Sequence, residues 1–287
     1  METVLITGAN SGIGRSTAVR LAAEGYRVYG AMRDTGKAEK LLAMAASAGA
    51  EVEPIALDVQ SDVSVAAAVQ EISAAAGGVD LLINNAGVGF NATTEDIDIE
   101  AAKVVFDTNY WGAIRCIQSV LPKMREKGSG HILNVSSVAG RIAALAQTVY
   151  SSSKWALECM SENLAQEVAP FGIRVSVMEP GVARTAILPK NVGVPETTVY
   201  SGAYRRMLRF YQKGIEANVS PDQVAEAILR AVRDENPRLR YTCAWGGVEL
   251  TEGRPLLSDE EWVELGAAKS DEEYYKAFNR AFGLDLS

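Results

Sequence analysis

The chain has 287 residues, a hydrophobic fraction of 48% and a formal net charge of −8. That charge excludes nucleic acid and anionic membrane as default partners, because both attract clustered basic side chains. One histidine and three scattered cysteines (Cys116, Cys159, Cys243) exclude a multi-histidine metal site and a disulfide framework.

Taken in chain order, "TVLIT" (3–7) reads as a first strand. It is too short for a signal peptide or a membrane span. With free, buried thiols expected, this points to a reducing, cytoplasmic compartment. A helical stretch from Gly12 to about Glu24 follows, then the strands "RVYGAM" (27–32), "VEPIAL" (52–57) and "DLLINN" (80–85), with alanine-rich helices before the last two. One long helical pattern covers about 100–127. His131 opens the fifth strand, "HILNVSS" (131–137), and reads as structural. Residues 149–168 are helical and "IRVSVMEP" (173–180) is a sixth strand. Continuous apolar strands separated by helices predict an α/β fold: a doubly wound parallel sheet of Rossmann type in three layers. After Pro180 the rhythm breaks, and residues 185–216 are irregular and rich in Pro, Tyr, Met and Arg. A clean helix restarts at 220–232, with Ser220 at its N-cap and Pro221 at its first position. "LRYTC" (239–243) suits a seventh strand, and Ser258/Glu261 and Ser270/Glu273 have the spacing of capping boxes for two short helices. The whole chain, 1–287, is expected to be one domain with a C-terminal extension from about 244.

"TGANSGIG" (7–14) joins the first strand to the first helix. Gly8, Gly12 and Gly14 allow backbone to approach a pyrophosphate, and the helix start directs free N–H groups and its positive dipole end at that phosphate. Asn10, Ser11 and Ile13 belong to the same turn. Folds that prefer NAD place an acid roughly 20 residues further on, for the ribose 2′-hydroxyl. Here that position is Met32, followed by Arg33, whose guanidinium suits a 2′-phosphate. NADP(H) is therefore expected over NAD(H), although Asp34 comes next.

"YSSSK" (150–154) puts Tyr150 and Lys154 one helical turn apart on one face, at a helix start on the carboxyl edge of the sheet. An ammonium within about 4–6 Å favours a phenolate, so the pair suits proton transfer to a substrate oxygen. Ser136 and Ser137 end strand five nearby.

Together these residues resemble the short-chain dehydrogenase/reductase family. The matching set runs from Thr7 to Thr185: "TGANSGIG", Asp58 with Val59 in "ALDV", "NNAG" (84–87), Asn109 in "DTNYWG", "SS" (136–137), "YSSSK" and "PGVART" (180–185). The family's serine stands thirteen residues before its tyrosine, which selects Ser137. The resemblance implies Tyr150 as general acid/base, Lys154 as its pKa partner and a ligand of the nicotinamide ribose, Ser137 on the substrate carbonyl, and Asn109 holding a relay water. It also implies Asp58 at the adenine amine, and Asn84, Ala86 and Gly87 on the adenosine side. Pro180, Gly181, Val182, Ala183 and Thr185 would lie along the nicotinamide. "GAMRD", residues 121–144 and residues 149–168 look most like the branch of 17β-hydroxysteroid and retinol dehydrogenase-like enzymes.

Residues 185–216 should form a helical substrate lid carrying Ile187, Leu188, Val192, Val194, Tyr200, Tyr204, Met207, Leu208, Phe210 and Tyr211, an apolar lining for a hydrophobic alcohol or ketone. Arg205, Arg206 and Arg209 read as a solvated face. The helices at 100–127 and 149–168 imply, by the resemblance, a homodimer or homotetramer. Two alternatives stay open: a 3-oxoacyl thioester reductase, and a non-catalytic NADP(H)-sensing protein.

Overall fold

The computed structural model describes residues 1–185, 195 and 198–287. Seven strands form one sheet: β1 (Thr3–Thr7), β2 (Arg27–Met32), β3 (Val52–Ala56), β4 (Leu81–Asn84), β5 (Gly130–Val135), β6 (Ile173–Pro180) and β7 (Arg240–Cys243). Their spatial order is β3-β2-β1-β4-β5-β6-β7, with every neighbouring pair parallel. The chain starts in the middle, winds outward to β3, then crosses back to β4 beside β1. Thus the turns after β1 and β4 diverge at one point on the carboxyl edge.

Central strands are apolar on both sides because helices cover both faces. Val4 and Ile6 of β1 point into a core with α1 (Gly12–Ala23), α2 (Glu39–Ser47) and α8 (Pro221–Val232). Leu5, between them, points into the opposite core with α3 (Asp62–Ala76), α5 (Gly112–Lys127) and α6 (Thr148–Val168). His131 is buried in β5, its ring nitrogens bonded to Ser176 (3.0 Å) and Arg174 (2.9 Å). Burial and the Arg174 charge depress its pKa to about 3, which fits the structural reading.

The structure refines three expectations. The pattern at 100–127 is helical throughout, as expected, but it is not regular α-helix. α4 (Ile99–Phe106) passes through a π-turn at Asp107–Trp111 before α5, where the Gly112 N–H reaches back to the Asp107 carbonyl. The π-turn keeps an apolar stripe running, so the break is invisible to periodicity. Second, within 185–216, where the apolar rhythm breaks and a helical lid is expected, residues 201–216 form a regular helix, α7 (Ser201–Glu216). Its Tyr204, Met207 and Gly214 are buried at helical spacing. Third, Arg206 and Arg209 are not simply solvated. Arg206 donates to the carbonyls of Gly266, Ala268 and Ser270 and pairs with Asp271, which Arg205 also holds, while Arg209 donates to the Leu286 carbonyl. Of the lid residues expected, Ile187, Leu188, Val192 and Val194 lie outside the described residues. Among the thiols, only Cys116 is fully buried, and burial pushes it up to about 12, whereas Cys159 is exposed.

Past β7 come α9 (Gly247–Gly253), which carried no sequence signal, α10 (Asp259–Gly266) and α11 (Asp271–Phe282). Ser258 makes the full capping box with Glu261. Ser270 accepts from the Glu273 N–H, but the Glu273 carboxylate turns to the Lys269 N–H instead. These helices bury Leu250, Leu265, Tyr274, Phe278, Phe282, Leu284 and Leu286 with Val138 and Ile142, which follow β5. No helix among the described residues is long and apolar enough to cross a membrane.

Candidate active site

At the divergence of β1 and β4 the chain leaves β1 through a glycine turn. Gly8 (φ +71°) and Gly12 (φ +53°) hold left-handed conformations that other residues rarely adopt. Gly14 is forced by contact: a Cβ there would lie 2.3 Å from Asn85 Nδ2 and 2.5 Å from the Gly8 carbonyl oxygen. Thr7 and Asn85, quoted in the motifs but given no role from sequence, staple the turn to β4. The Thr7 hydroxyl accepts from the N–H groups of Asn85 (3.0 Å) and Ala86 (2.9 Å), and Asn85 Nδ2 donates to the Thr7 carbonyl (2.8 Å). The signal was a Thr before the first glycine and a doubled Asn after β4, but pairing them needs the strand register. Ser11 is extended at the helix start without capping it by its side chain, and Asn10 and Ser11 are exposed, while Ile13 packs partly into the core. The first N–H groups of α1 therefore face the sheet edge.

At the tip of β2, Met32 is buried while Arg33 and Asp34 are exposed. The Asp34 carboxylate caps its own loop, accepting from the Gly36 N–H (3.0 Å) and lying 3.4 Å from Lys37 Nζ. Asp58, after β3, accepts from the Gln60 N–H (3.1 Å), and Val59 is buried against Gly112. Thr185 lies across the glycine turn: a Cβ on Gly12 would meet its side chain at 3.5 Å. The stretch leading to Thr185 is fixed by Gly181 N–H to the Cys243 carbonyl (2.8 Å) and Val182 N–H to the Trp245 carbonyl (2.9 Å), with Val182 and Ala183 buried beyond Pro180.

Asn84, Ala86, Asn109 and Lys154 line one narrow cleft with Thr7, Val59 and Val135. Lys154 is buried and donates to the Val135 carbonyl (2.9 Å). Burial lowers its pKa to about 8, against the raising effect of Glu158 one turn on. Asn109 sits in the π-turn and is pinned, accepting from the Val88 N–H (2.9 Å) and donating to the Val88 carbonyl (2.9 Å) and Ser153 (3.1 Å). Gly87 keeps the space beside Asn109 and Lys154 open. Asn84 donates to Asn134 (2.9 Å), but its buried Oδ1 has no partner among the described residues. A bare acceptor at the cleft edge suits a donor such as a ribose hydroxyl, and the helix start and glycine turn beside it suit a phosphate, so these residues fit a dinucleotide.

Tyr150 is half-buried near the start of α6, with Lys154 Nζ 5.9 Å from its ring centroid. The expected depression of its pKa by Lys154 is absent in the chain alone. Burial raises the phenol, and only a hydrogen bond with Ser137 pulls it down. Ser137 follows β5 and accepts from the Ala139 N–H (3.2 Å). Ser136 is buried and turned away against Gly140. Next to Tyr150, Gln147 hydrogen-bonds the Tyr211 hydroxyl, and both reach Asn91 Oδ1. Burial, then the neighbouring Tyr150, raises the Tyr211 phenol.

Beyond Gln147 a second cleft, open to solvent, lies between residues 142–147, α7 and the helices α10 and α11.

Residues 2–193 match the family model described as short chain dehydrogenase. Human 17-beta-hydroxysteroid dehydrogenase type 1 is 38% identical over 252 residues, 83% of this chain and 76% of that protein. Human retinol dehydrogenase 8 is also 38% identical, covering 83% of this chain and 80% of that protein. A short-chain dehydrogenase from Streptomyces avermitilis superposes with a TM-score of 0.79 at 32% identity, covering 93% of this chain and 99% of that one. Two further solved relatives hold dinucleotides: one from Burkholderia phymatum with NAD (26% identity, TM-score 0.73, 83% and 88% of the two chains) and a metagenomic one with NADP (25%, 0.66, 84% and 95%). A nicotinamide dinucleotide is thus the cofactor class, and the chain belongs to the short-chain dehydrogenase family of oxidoreductases acting on CH–OH groups.

Proposed function

We propose that the chain is an NADP(H)-dependent oxidoreductase that moves a hydride between nicotinamide and a hydrophobic alcohol or ketone, with Tyr150 as general acid/base. The observation that carries this reading is the convergence at the carboxyl edge of the sheet: Lys154 Nζ lies 5.9 Å from the Tyr150 ring beside the cleft shared with Asn109, and Ser137, which follows β5, holds the Tyr150 phenol down. In ketone reduction Ser137 donates a hydrogen bond that holds the carbonyl oxygen, and Tyr150 gives its proton to that oxygen as the carbon gains a hydride, which leaves an alcohol and the Tyr150 phenolate. The bound nicotinamide supplies the hydride in one direction and accepts it in the other. A phenol raised by burial stays protonated at neutral pH, which favours the donating role in the reductive direction. Lys154, fixed through Val135, presents an ammonium to the cofactor ribose and to Tyr150. The turn Gly8–Gly14 and the start of α1 would hold the pyrophosphate, with Asp58, Val59, Asn84, Ala86 and Gly87 along the adenosine and Pro180 to Thr185 along the nicotinamide.

Support for NADP(H) comes from the β2 tip, where Asp34 is engaged by its own loop and Arg33 and Lys37 are the cations nearby. Because Met32 is buried, Met32→Asp would bury a carboxylate, so Arg33→Asp is the better probe. The half-exposed Trp111 and Trp155 (49% and 50%), on the π-turn and α6, support a homo-oligomer built on these helices. The test is NADPH and NADP⁺ turnover across steroids, retinoids, aromatic ketones and acyl thioesters, with Tyr150→Phe as the blank. Activity on an apolar ketone that vanishes in the blank supports the proposal, and turnover surviving in the blank overturns it.

A further inference from the structure

Lys154 has no acid in front of it. Among the described residues, the cleft it lines carries Thr7, Asn84, Thr108 and Asn109 as polar groups and no carboxylate. The acceptor it reaches is the neutral Val135 carbonyl (2.9 Å). Its titratable neighbours on α6 are Tyr150, one turn before, and Glu158, one turn after. A buried ammonium without a counter-charge gives up its proton, because burial disfavours the charged form.

Behind Lys154 lies a cluster of charged side chains that the mechanism above leaves unused. Glu158 of α6 and Glu179 of β6 are 4% and 1% exposed. Arg240, the first residue of β7, donates from Nε to Glu158 Oε2 (2.9 Å) and from Nη2 to Glu162 Oε2 (2.8 Å), with Glu179 Oε1 3.5 Å from Nε. Arg141, in the turn after β5, donates to Glu179 Oε1 (2.9 Å). Burial and then the neighbouring Glu158 raise the Glu179 carboxyl, against the pull of Arg141 and Arg240, as expected of two acids sharing dry space. Three carboxylates against two guanidiniums leave one negative charge over, and Lys154 is the cation that balances it. The surplus has a place: Glu158 Oε1 is buried and has no hydrogen-bond partner among the described residues. The buried Gly140 covers the step from one residue to the other, since a Cβ there would lie 3.0 Å from Glu158 Cγ and 3.2 Å from the Lys154 carbonyl oxygen. The cluster is also anchored on the elements that carry the site. Arg141 comes four residues after Ser137, and Glu179 directly precedes Pro180, whose carbonyl accepts from the Ser137 hydroxyl (3.4 Å).

Resting on the roles of Tyr150 and Lys154 proposed above, we infer that Glu158 is a positioning residue for catalysis: it is the counter-charge that keeps Lys154 an ammonium at neutral pH, and Arg240, Arg141 and Glu179 fix where that charge stands. Glu158 touches neither substrate nor cofactor in this scheme and acts through Lys154 alone. The carboxylate sits behind the lysine, so it holds the proton without competing with the cofactor ribose for the front of the ammonium.

The test is a pH titration of the lysine side-chain nitrogens by ¹⁵N NMR in the full chain without added cofactor, with the Lys154 signal assigned by its loss in Lys154→Arg. The wild type should titrate near 8. Glu158→Gln should move that midpoint down by about one unit, a tenfold gain in acidity, and Glu158→Asp should recover part of the shift. Glu162→Gln alters a side chain that is 58% exposed and relieves Arg240 of one partner. It should move the midpoint the same way by less, and it decides the matter if Glu158→Gln fails to fold. The alkaline limb of kcat/KM for NADPH-dependent ketone reduction should follow the midpoint from variant to variant. A purely structural role for Glu158 would lower the melting temperature and leave the midpoint in place. A midpoint that stays or rises in Glu158→Gln, or in Glu162→Gln where that variant has to stand in, overturns the inference. If the midpoints move as expected while turnover survives Tyr150→Phe, the counter-charge stands and the reading of Tyr150 falls instead.

Discussion

The two ends of the molecule solve opposite problems. Around β1, β4 and the glycine turn, geometry is fixed by polar contacts too short to tolerate a methyl group, as at Gly14. Between α7, α10 and α11, the contacts are aromatic and aliphatic, tied by the arginines of one helix. The first region has one shape to hold, set by a cofactor whose chemistry does not vary. The second has only to be apolar and of the right width, which many sequences satisfy.

The largest effect expected is at the proposed junction of the two regions. Tyr150→Phe should lower kcat for ketone reduction by about 10²–10⁴-fold while NADPH affinity, measured by fluorescence titration, changes little. Equal loss of both would mean that Tyr150 belongs to the nucleotide side alone. Next, Arg33→Asp should lower the ratio of kcat/KM for NADPH over NADH by at least about tenfold. A fixed ratio would show that the β2 tip does not read the 2′-position.

A paired substitution sharpens the contrast. Gly14→Ala adds a methyl where Asn85 and Gly8 leave no room, and should raise the cofactor Kd by about tenfold, the scale of a 1–3 kcal/mol overpacking strain. Leu286→Ala, in the C-terminal core, should cost about 2–5 kcal/mol of unfolding free energy and leave that Kd alone. The smallest effect is in pH dependence. Lys154 loses its proton as pH rises through about 8 in the free enzyme, while Tyr150, raised by burial, keeps its own. For ketone reduction, kcat/KM should therefore fall above about pH 8, and Lys154→Arg should move that limb out of range.

What could be read from sequence follows the same division. The strands were legible because central parallel strands are apolar on both faces; Tyr150 and Lys154 were singled out by a local spacing, and Ser137 by the family resemblance alone. Asn85 was not, since its work depends on β4 lying beside β1. The π-turn holding Asn109 escaped because it does not interrupt the apolar stripe. The bounds of α7 and the partners of its arginines were not legible, because α10 and α11 supply the carbonyls they meet.

His131 is the only imidazole in the chain, and it is locked between Ser176 and Arg174 with its pKa near 3. In the unfolded chain it titrates near 6.5, so the folded state loses stability as pH falls from about 6.5 toward 3. The native protein should likewise resist an imidazole-acylating reagent such as diethyl pyrocarbonate. Each molecule that reacts would have opened first, so one absorbance trace near pH 6 would count unfolding events without any engineered label.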